Sequence, residues 1–171
     1  MTKNKLAIIG GSGLYEIEGL ENPKWKSITT PWGKPSDEIL NKLNYDKIAG
    51  VESRGFIFAS PLSYNLSKPY ILMRKKNKLP AETYSADFKL EYGDATLEIH
   101  KDSINPKEKI IIVDDLIATG GTSEASAKLV EKCGGKVSGF IFVINLFDLG
   151  GKKSLEKKGY KTFSLIDFPG H

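Results

Sequence analysis

One stretch limits the possible folds of this chain more than any other. Lys109 to Val113 is rich in β-branched residues and ends in Asp114-Asp115, after which Leu116 to Thr122 holds Gly120-Gly121, with small residues from Ala118 onward. A helix is expected from about Ser123. Ala125, Leu129 and Cys133 recur at four-residue spacing on one helical face, and Gly134-Gly135 ends it as a C-cap. Lys136 to Asn145 then reads as another buried strand. Strand, helix and strand in this order form a parallel βαβ crossover, whose ligand crevice lies at the carboxyl ends of its strands. The chain is therefore expected to be α/β.

The same alternation begins near residue 45. Lys47 to Val51 reads as a short buried strand, followed by Glu52-Ser53-Arg54-Gly55 and a helix-like apolar stretch from Phe56 to Leu66. Pro69 to Met73 is a second strand, running into the basic cluster Arg74-Lys75-Lys76-Asn77-Lys78. Pro80 to Asp94 is polar and tyrosine-rich, a long excursion or a β-ribbon, and Thr96 to His100 alternates as a strand does. Loops of that length inside a compact domain are usually functional.

The chemistry concentrates between Ile111 and Thr122. Carboxylates at a strand end can accept hydrogen bonds from paired ribose hydroxyls and help hold a hydrated Mg²⁺. Ala118, Thr119, Gly120, Gly121 and Thr122 offer converging backbone N–H groups and two hydroxyls to a phosphate, and the loop opens into a helix N-terminus that favours an anion. The bland reading is a strand-to-helix turn with a Thr or Ser cap. Such a turn does not need an aspartate pair at the end of an apolar strand, so the phosphate reading is preferred.

Composition removes other classes. The chain has 171 residues, 40% hydrophobic and 27% charged, with a net charge of +4. That is ordinary for a globular domain and too apolar for a disordered one. No apolar run approaches the ~20 residues that cross a bilayer, and the opening apolar run is too short for a secretory signal. A single cysteine, Cys133, allows no internal disulfide. A cytoplasmic protein is expected. The Arg74–Lys78 cluster suits a phosphate partner or a solvated loop, and the broad basic face with aromatic platforms that nucleic acid needs is missing. His100 and His171 have no partners at metal-binding spacing.

Ile111 to Thr122 resembles the phosphoribosyl pyrophosphate motif of the type I phosphoribosyltransferases. Val51-Glu52-Ser53-Arg54-Gly55-Phe56, Arg74 to Pro80, Leu90-Glu91-Tyr92-Gly93, Leu97 to Asp102, Ile144 to Gly151 and Phe168-Pro169-Gly170-His171 narrow the resemblance to the adenine phosphoribosyltransferase family, from about residue 46 to 171. The resemblance implies a central, mostly parallel sheet flanked by helices, with a β-ribbon flexible loop. It also implies transfer of the phosphoribosyl group from phosphoribosyl pyrophosphate to adenine, giving AMP and pyrophosphate with Mg²⁺ on the diphosphate, in a homodimer. On this pattern Asp114 and Asp115 would hold the ribose hydroxyls, Ala118 to Thr122 the 5′-phosphate, and Leu116 one face of the base. Ser53, Arg54 and Gly55 would grip pyrophosphate through a strained peptide bond, with Arg54 catalytic, and Arg74, Lys75 and Lys78 would neutralise the departing diphosphate. Glu91, beside Tyr92, would assist proton transfer at the base, although a lone Glu in a polar loop is usually just solvated. The metal ligands are not identified.

The first forty residues depart from that family, whose usual opening segment forms a hood over the base. Leu6 to Leu14, with Gly10-Gly11-Ser12-Gly13, and Thr30 to Asp37 instead resemble the start of methylthioadenosine phosphorylase. The chain is accordingly divided into a phosphorylase-like segment, 1–40, replacing the hood, and a phosphoribosyltransferase core, 41–171: a fusion. Ser12 and its glycines could form a phosphate site or only a structural turn. Residues 1–35 are expected to act as a replacement hood, bringing Trp25, Trp32 or Tyr15 near the base. A competing reading is a non-catalytic nucleotide-binding module that kept the phosphate cradle and lost base selection. Phosphorolysis of methylthioadenosine lacks most of its site.

Overall fold

The computed structural model describes residues 43–90 and 93–170. Seven strands form one sheet in the order β3-β4-β2-β1-β5-β6-β7. They are β1 (Lys47–Val51), β2 (Tyr70–Lys75), β3 (Thr83–Leu90), β4 (Gly93–His100), β5 (Lys109–Ile117), β6 (Lys136–Leu146) and β7 (Thr162–Phe168). The helices are α1 (Gly55–Asn65), α2 (Gly121–Lys132) and α3 (Gly151–Lys157). The run β2-β1-β5-β6-β7 is parallel, while β3 and β4 form an antiparallel ribbon whose β4 pairs with the end of β2.

The unbroken apolar run of β5 is explained by cover on both faces. Ile110 and Ile112 point into a core with Ala125, Leu129 and Val130 of α2 and Phe140 and Phe142 of β6. Ile111 and Val113, the alternate positions, point into a second core with Ala59 of α1, Ile48 and Ile141. Gly50 lets α1 lie close to β1. A methyl group there would stand 2.5 Å from Tyr70 Oη and 2.9 Å from Ala59 Cβ.

Several boundaries differ from expectation, each for a pairing reason. β5 does not stop at Val113: Asp114, Leu116 and Ile117 pair with Phe142, Ile144 and Asn145 of β6, so both aspartates lie within the strand. β2 continues through Arg74 and Lys75 because these pair with Glu98 and Leu97 of β4. The polar stretch after Pro80 is, as one of its two readings had it, a β-ribbon. Helix α2 starts at Gly121, two residues before Ser123. Helix α3 and strand β7 have no counterpart in the sequence reading; Leu155, fully buried, anchors α3. No helix among the described residues is long and apolar enough to cross a membrane.

Candidate active site

The carboxyl ends of β1 and β5 face a cavity of about 590 Å³. Its floor is the stretch Asp114 to Ser123, with Glu52, Ser53, Arg54 and Lys75 on one side and Leu146, Leu149 and Gly170 on the other. The parallel strands fix this arrangement, since each delivers its following turn to the same edge of the sheet.

The phosphate-loop candidates are tightly held. Gly120 sits at φ +93°, a conformation that favours glycine, and caps α2. Its carbonyl accepts from Glu124 N–H at 2.9 Å, starting the helix. Gly121 passes so close to the ribbon that a methyl group would meet the Lys89 carbonyl oxygen at 2.9 Å. From the other side Gly151, at the start of α3, donates its N–H to Ala118 O at 2.9 Å. Ala118, Thr119, Gly120, Gly121 and Thr122 all line the cavity, beside Leu116.

The two aspartates differ in environment. Burial first, and then the neighbouring Asp115 charge, push the Asp114 carboxyl up to about 8, although Asp115 N–H donates to Asp114 Oδ1 at 2.9 Å. Asp115 is in contact with the Arg54 guanidinium, which is 67% exposed and reaches across the cavity mouth. The Glu52–Ser53 peptide bond is cis. Gly55 does not line the cavity; it lets α1 start against β5, where a methyl group would stand 2.7 Å from Val113 O and 3.0 Å from Asp114 Oδ1.

The basic cluster divides. Lys75 lines the cavity, whereas Arg74 and Lys78 reach it through Glu52. Lys78 Nζ lies 2.9 Å from Glu52 Oε1, Lys75 N–H donates to Oε2 at 2.8 Å, and Arg74 Nε is 3.4 Å from the same oxygen. Arg74 Nη1 also donates to Lys78 O at 2.9 Å. Glu52 was not among the expected site residues. Its signal was available: a charged residue between a buried strand and Ser53-Arg54-Gly55 needs a partner. Lys89, Leu146, Leu149 and Gly170 were also not anticipated as cavity wall. Glu91, Tyr92 and residues 1–42, with Ser12, Tyr15, Trp25 and Trp32, lie outside the described residues.

A doubly covered parallel sheet with an aspartate pair, a glycine-bearing anion loop and a cationic turn at one edge defines a phosphoribosyltransferase. In agreement, the family described as "Phosphoribosyl transferase domain" matches residues 33–170. The chain is 61% identical over 142 residues to the adenine phosphoribosyltransferase of Pelagibacter ubique, covering 79% of this chain and 81% of that one. The solved adenine phosphoribosyltransferase of Thermoanaerobacter pseudethanolicus superposes with a TM-score of 0.74 at 49% identity, over 77% of this chain and 76% of that one. The Saccharomyces cerevisiae enzyme, solved with an iminoaltritol bisphosphate and adenine, gives 0.70 at 37% identity, over 77% and 73%. The chain belongs to the adenine phosphoribosyltransferase family, as an enzyme of purine salvage that makes AMP and pyrophosphate from adenine and phosphoribosyl pyrophosphate. A purely binding module is not favoured.

Proposed function

We propose that the cavity carries out this transfer with each group in a defined place. Asp114 and Asp115 clasp the ribose hydroxyls, Ala118 to Thr122 cradle the 5′-phosphate, and Leu116 lies along the base. Ser53 and Arg54, with Arg74, Lys75 and Lys78, serve the diphosphate, and Gly55 seats the start of α1 behind them. The observation that supports this most is the placement of the aspartate pair, at the end of β5, and the glycine loop that follows it on one cavity floor.

The chemistry asked of these residues is modest. Displacement at the sugar carbon develops positive charge on the ring and negative charge on the leaving diphosphate. Prepositioned carboxylates and cations stabilise both without reorganising, so positioning and electrostatics carry the rate. Arg54 contributes at the leaving-group end, where its interaction strengthens as charge separates. Glu91, with Tyr92 beside it, is assigned to proton transfer at the base.

Mg²⁺ fits the donor set. Among the described residues no cluster of three His, Cys, Asp or Glu side chains could hold a metal unaided. A carboxylate pair beside an anion loop suits a Mg²⁺ that keeps waters and is shared with phosphate oxygens. Asp114 and Asp115 would hold it through such waters, and it would offset the diphosphate charge.

The proposal extends to a cytoplasmic homodimer and to residues 1–35 as a replacement hood of phosphorylase-like origin, readings that rest on sequence resemblance. Deleting residues 1–35 should weaken adenine binding and spare phosphoribosyl pyrophosphate binding; unchanged adenine affinity would remove the hood reading. Sedimentation velocity should give twice the chain mass.

The central test is direct. Incubation with phosphoribosyl pyrophosphate, Mg²⁺ and each purine base in turn should give AMP from adenine. Loss of that product in Asp115→Asn and Thr122→Ala variants that still fold supports the residue assignment; full activity in both would remove it.

A further inference from the structure

The diphosphate end of the cavity contains a carboxylate where only cations are expected. Glu52 has a side chain only 7% exposed, lines the cavity, and engages Arg74, Lys75 and Lys78, three of the residues assigned to pyrophosphate. Lys78 Nζ is 2.9 Å from Oε1, Lys75 N–H donates to Oε2 at 2.8 Å, and Arg74 Nε makes ion-pair contact at 3.4 Å. Arg74 Nε is buried and has no hydrogen bond. Burial works to raise the Glu52 carboxyl, yet Lys78, the Lys75 N–H and Arg74 together outweigh it and hold it below its ordinary value. An anion this well paired is a poor neighbour for a second anion, because like charges sharing the same partners repel.

We propose that Glu52 is an internal competitor of the diphosphate: it holds Arg74 and Lys78 in place in the empty site and yields them when the diphosphate arrives. The inference rests on the assignment of these cations to pyrophosphate. Two consequences follow from one carboxylate. The long side chains lose their rotamer freedom on folding rather than on binding, which preorganises the site. The residual negative charge also keeps pyrophosphate from binding too firmly, so product leaves. Glu52 therefore acts as a positioning residue through Lys78 and Arg74.

The charge is separable from the shape. Glu52→Gln keeps an oxygen acceptor for the Lys75 N–H and removes only the anion, so a merely structural role predicts wild-type kinetics. The measurement is product inhibition by pyrophosphate and, separately, by AMP, which lacks the diphosphate. Glu52→Gln should tighten pyrophosphate inhibition about three- to tenfold, the range of an ordinary net hydrogen bond, and lower kcat as release slows. Inhibition by AMP should stay within about twofold, which also certifies the fold. In a Lys78→Met background the Glu52→Gln effect should shrink. Pyrophosphate inhibition that is unchanged or weaker in Glu52→Gln overturns the inference, as does an equal change for AMP. If Lys78→Met and Arg74→Gln leave pyrophosphate inhibition of the otherwise wild-type enzyme unaltered, the assignment of the cations themselves fails.

Discussion

The Gly151 N–H donates to the Ala118 carbonyl oxygen at 2.9 Å, and a methyl group on Gly151 would stand 2.3 Å from that oxygen and 2.7 Å from Gly120 N. The start of α3 is thus pressed against the anion loop with no room for a side chain. The glycine loop on the cavity floor is braced from behind by this close backbone contact.

Gly151→Ala should therefore separate this brace from the loop. Overpacking at such a contact costs about 1–3 kcal/mol of stability. Displacement of the loop should weaken AMP and phosphoribosyl pyrophosphate about tenfold or more, because small misplacements of binding groups are expensive. Calorimetric AMP titration beside thermal unfolding checks both. A fully stable variant with wild-type AMP affinity would refute the brace.

Asp114 makes the stability of the ligand-free enzyme depend on pH in an unusual sense. An aspartate in an unfolded chain ionises near ~3.9, whereas burial raises this one to about 8. The folded state then binds the extra proton between those values. Its contribution to stability is complete below pH ~4 and drains away as pH rises toward about 8. Thermal unfolding should show Tm falling from pH 5 to pH 8.5, as stability drops by on the order of 1 kcal/mol or more. Asp114→Asn, which still offers an acceptor to the Asp115 N–H, should flatten that fall. Glu52, Glu108 and Glu124 have lowered values and act in the opposite sense, losing stability only as pH drops through the carboxylate range.

Arg54 should separate stability from activity. Its side chain is 67% exposed, so its ion pair with Asp115 is screened from one side and Arg54→Ala should shift stability by about 1 kcal/mol or less. AMP formation should fall about 100-fold or more if the guanidinium meets the leaving group. Steady-state rates beside a melting curve test the pair of outcomes.

Leu129 offers the converse. It is fully buried in the α2 core, where Leu→Ala changes cost about 2–5 kcal/mol. Leu129→Ala should lower the denaturant midpoint and leave the KM values of the folded fraction unchanged.

Much of this architecture was legible in the residues because two periodicities agree. Ile110 to Val113 alternate between two cores, so the strand reads as a continuous apolar run, and Ala125 and Leu129 show helical spacing. The aspartate pair and the glycine loop were visible because they interrupt that run with chemistry. Strand ends were less legible, since Asp114 to Ile117 remain in the ladder only through β6, and Arg74 and Lys75 through β4. Those are partners distant in sequence. Glu52 escaped for the same reason: its role is set by residues 22 to 26 positions away, at Arg74, Lys75 and Lys78. Helix α3 is a short, lysine-rich segment whose place depends on one buried leucine and on the close approach of Gly151.

Holding Asp114 and Asp115 inside a paired strand, rather than on the connection after it, has a lasting effect on how this fold can diversify. Neither acid can shift relative to the other without unzipping β5 from β6, so the proposed grip on the ribose would be as stiff as the sheet. Variation in this cavity falls to wall side chains such as Leu146 and Leu149, and not to Gly170, where a methyl group would stand 2.6 Å from Leu149 Cγ.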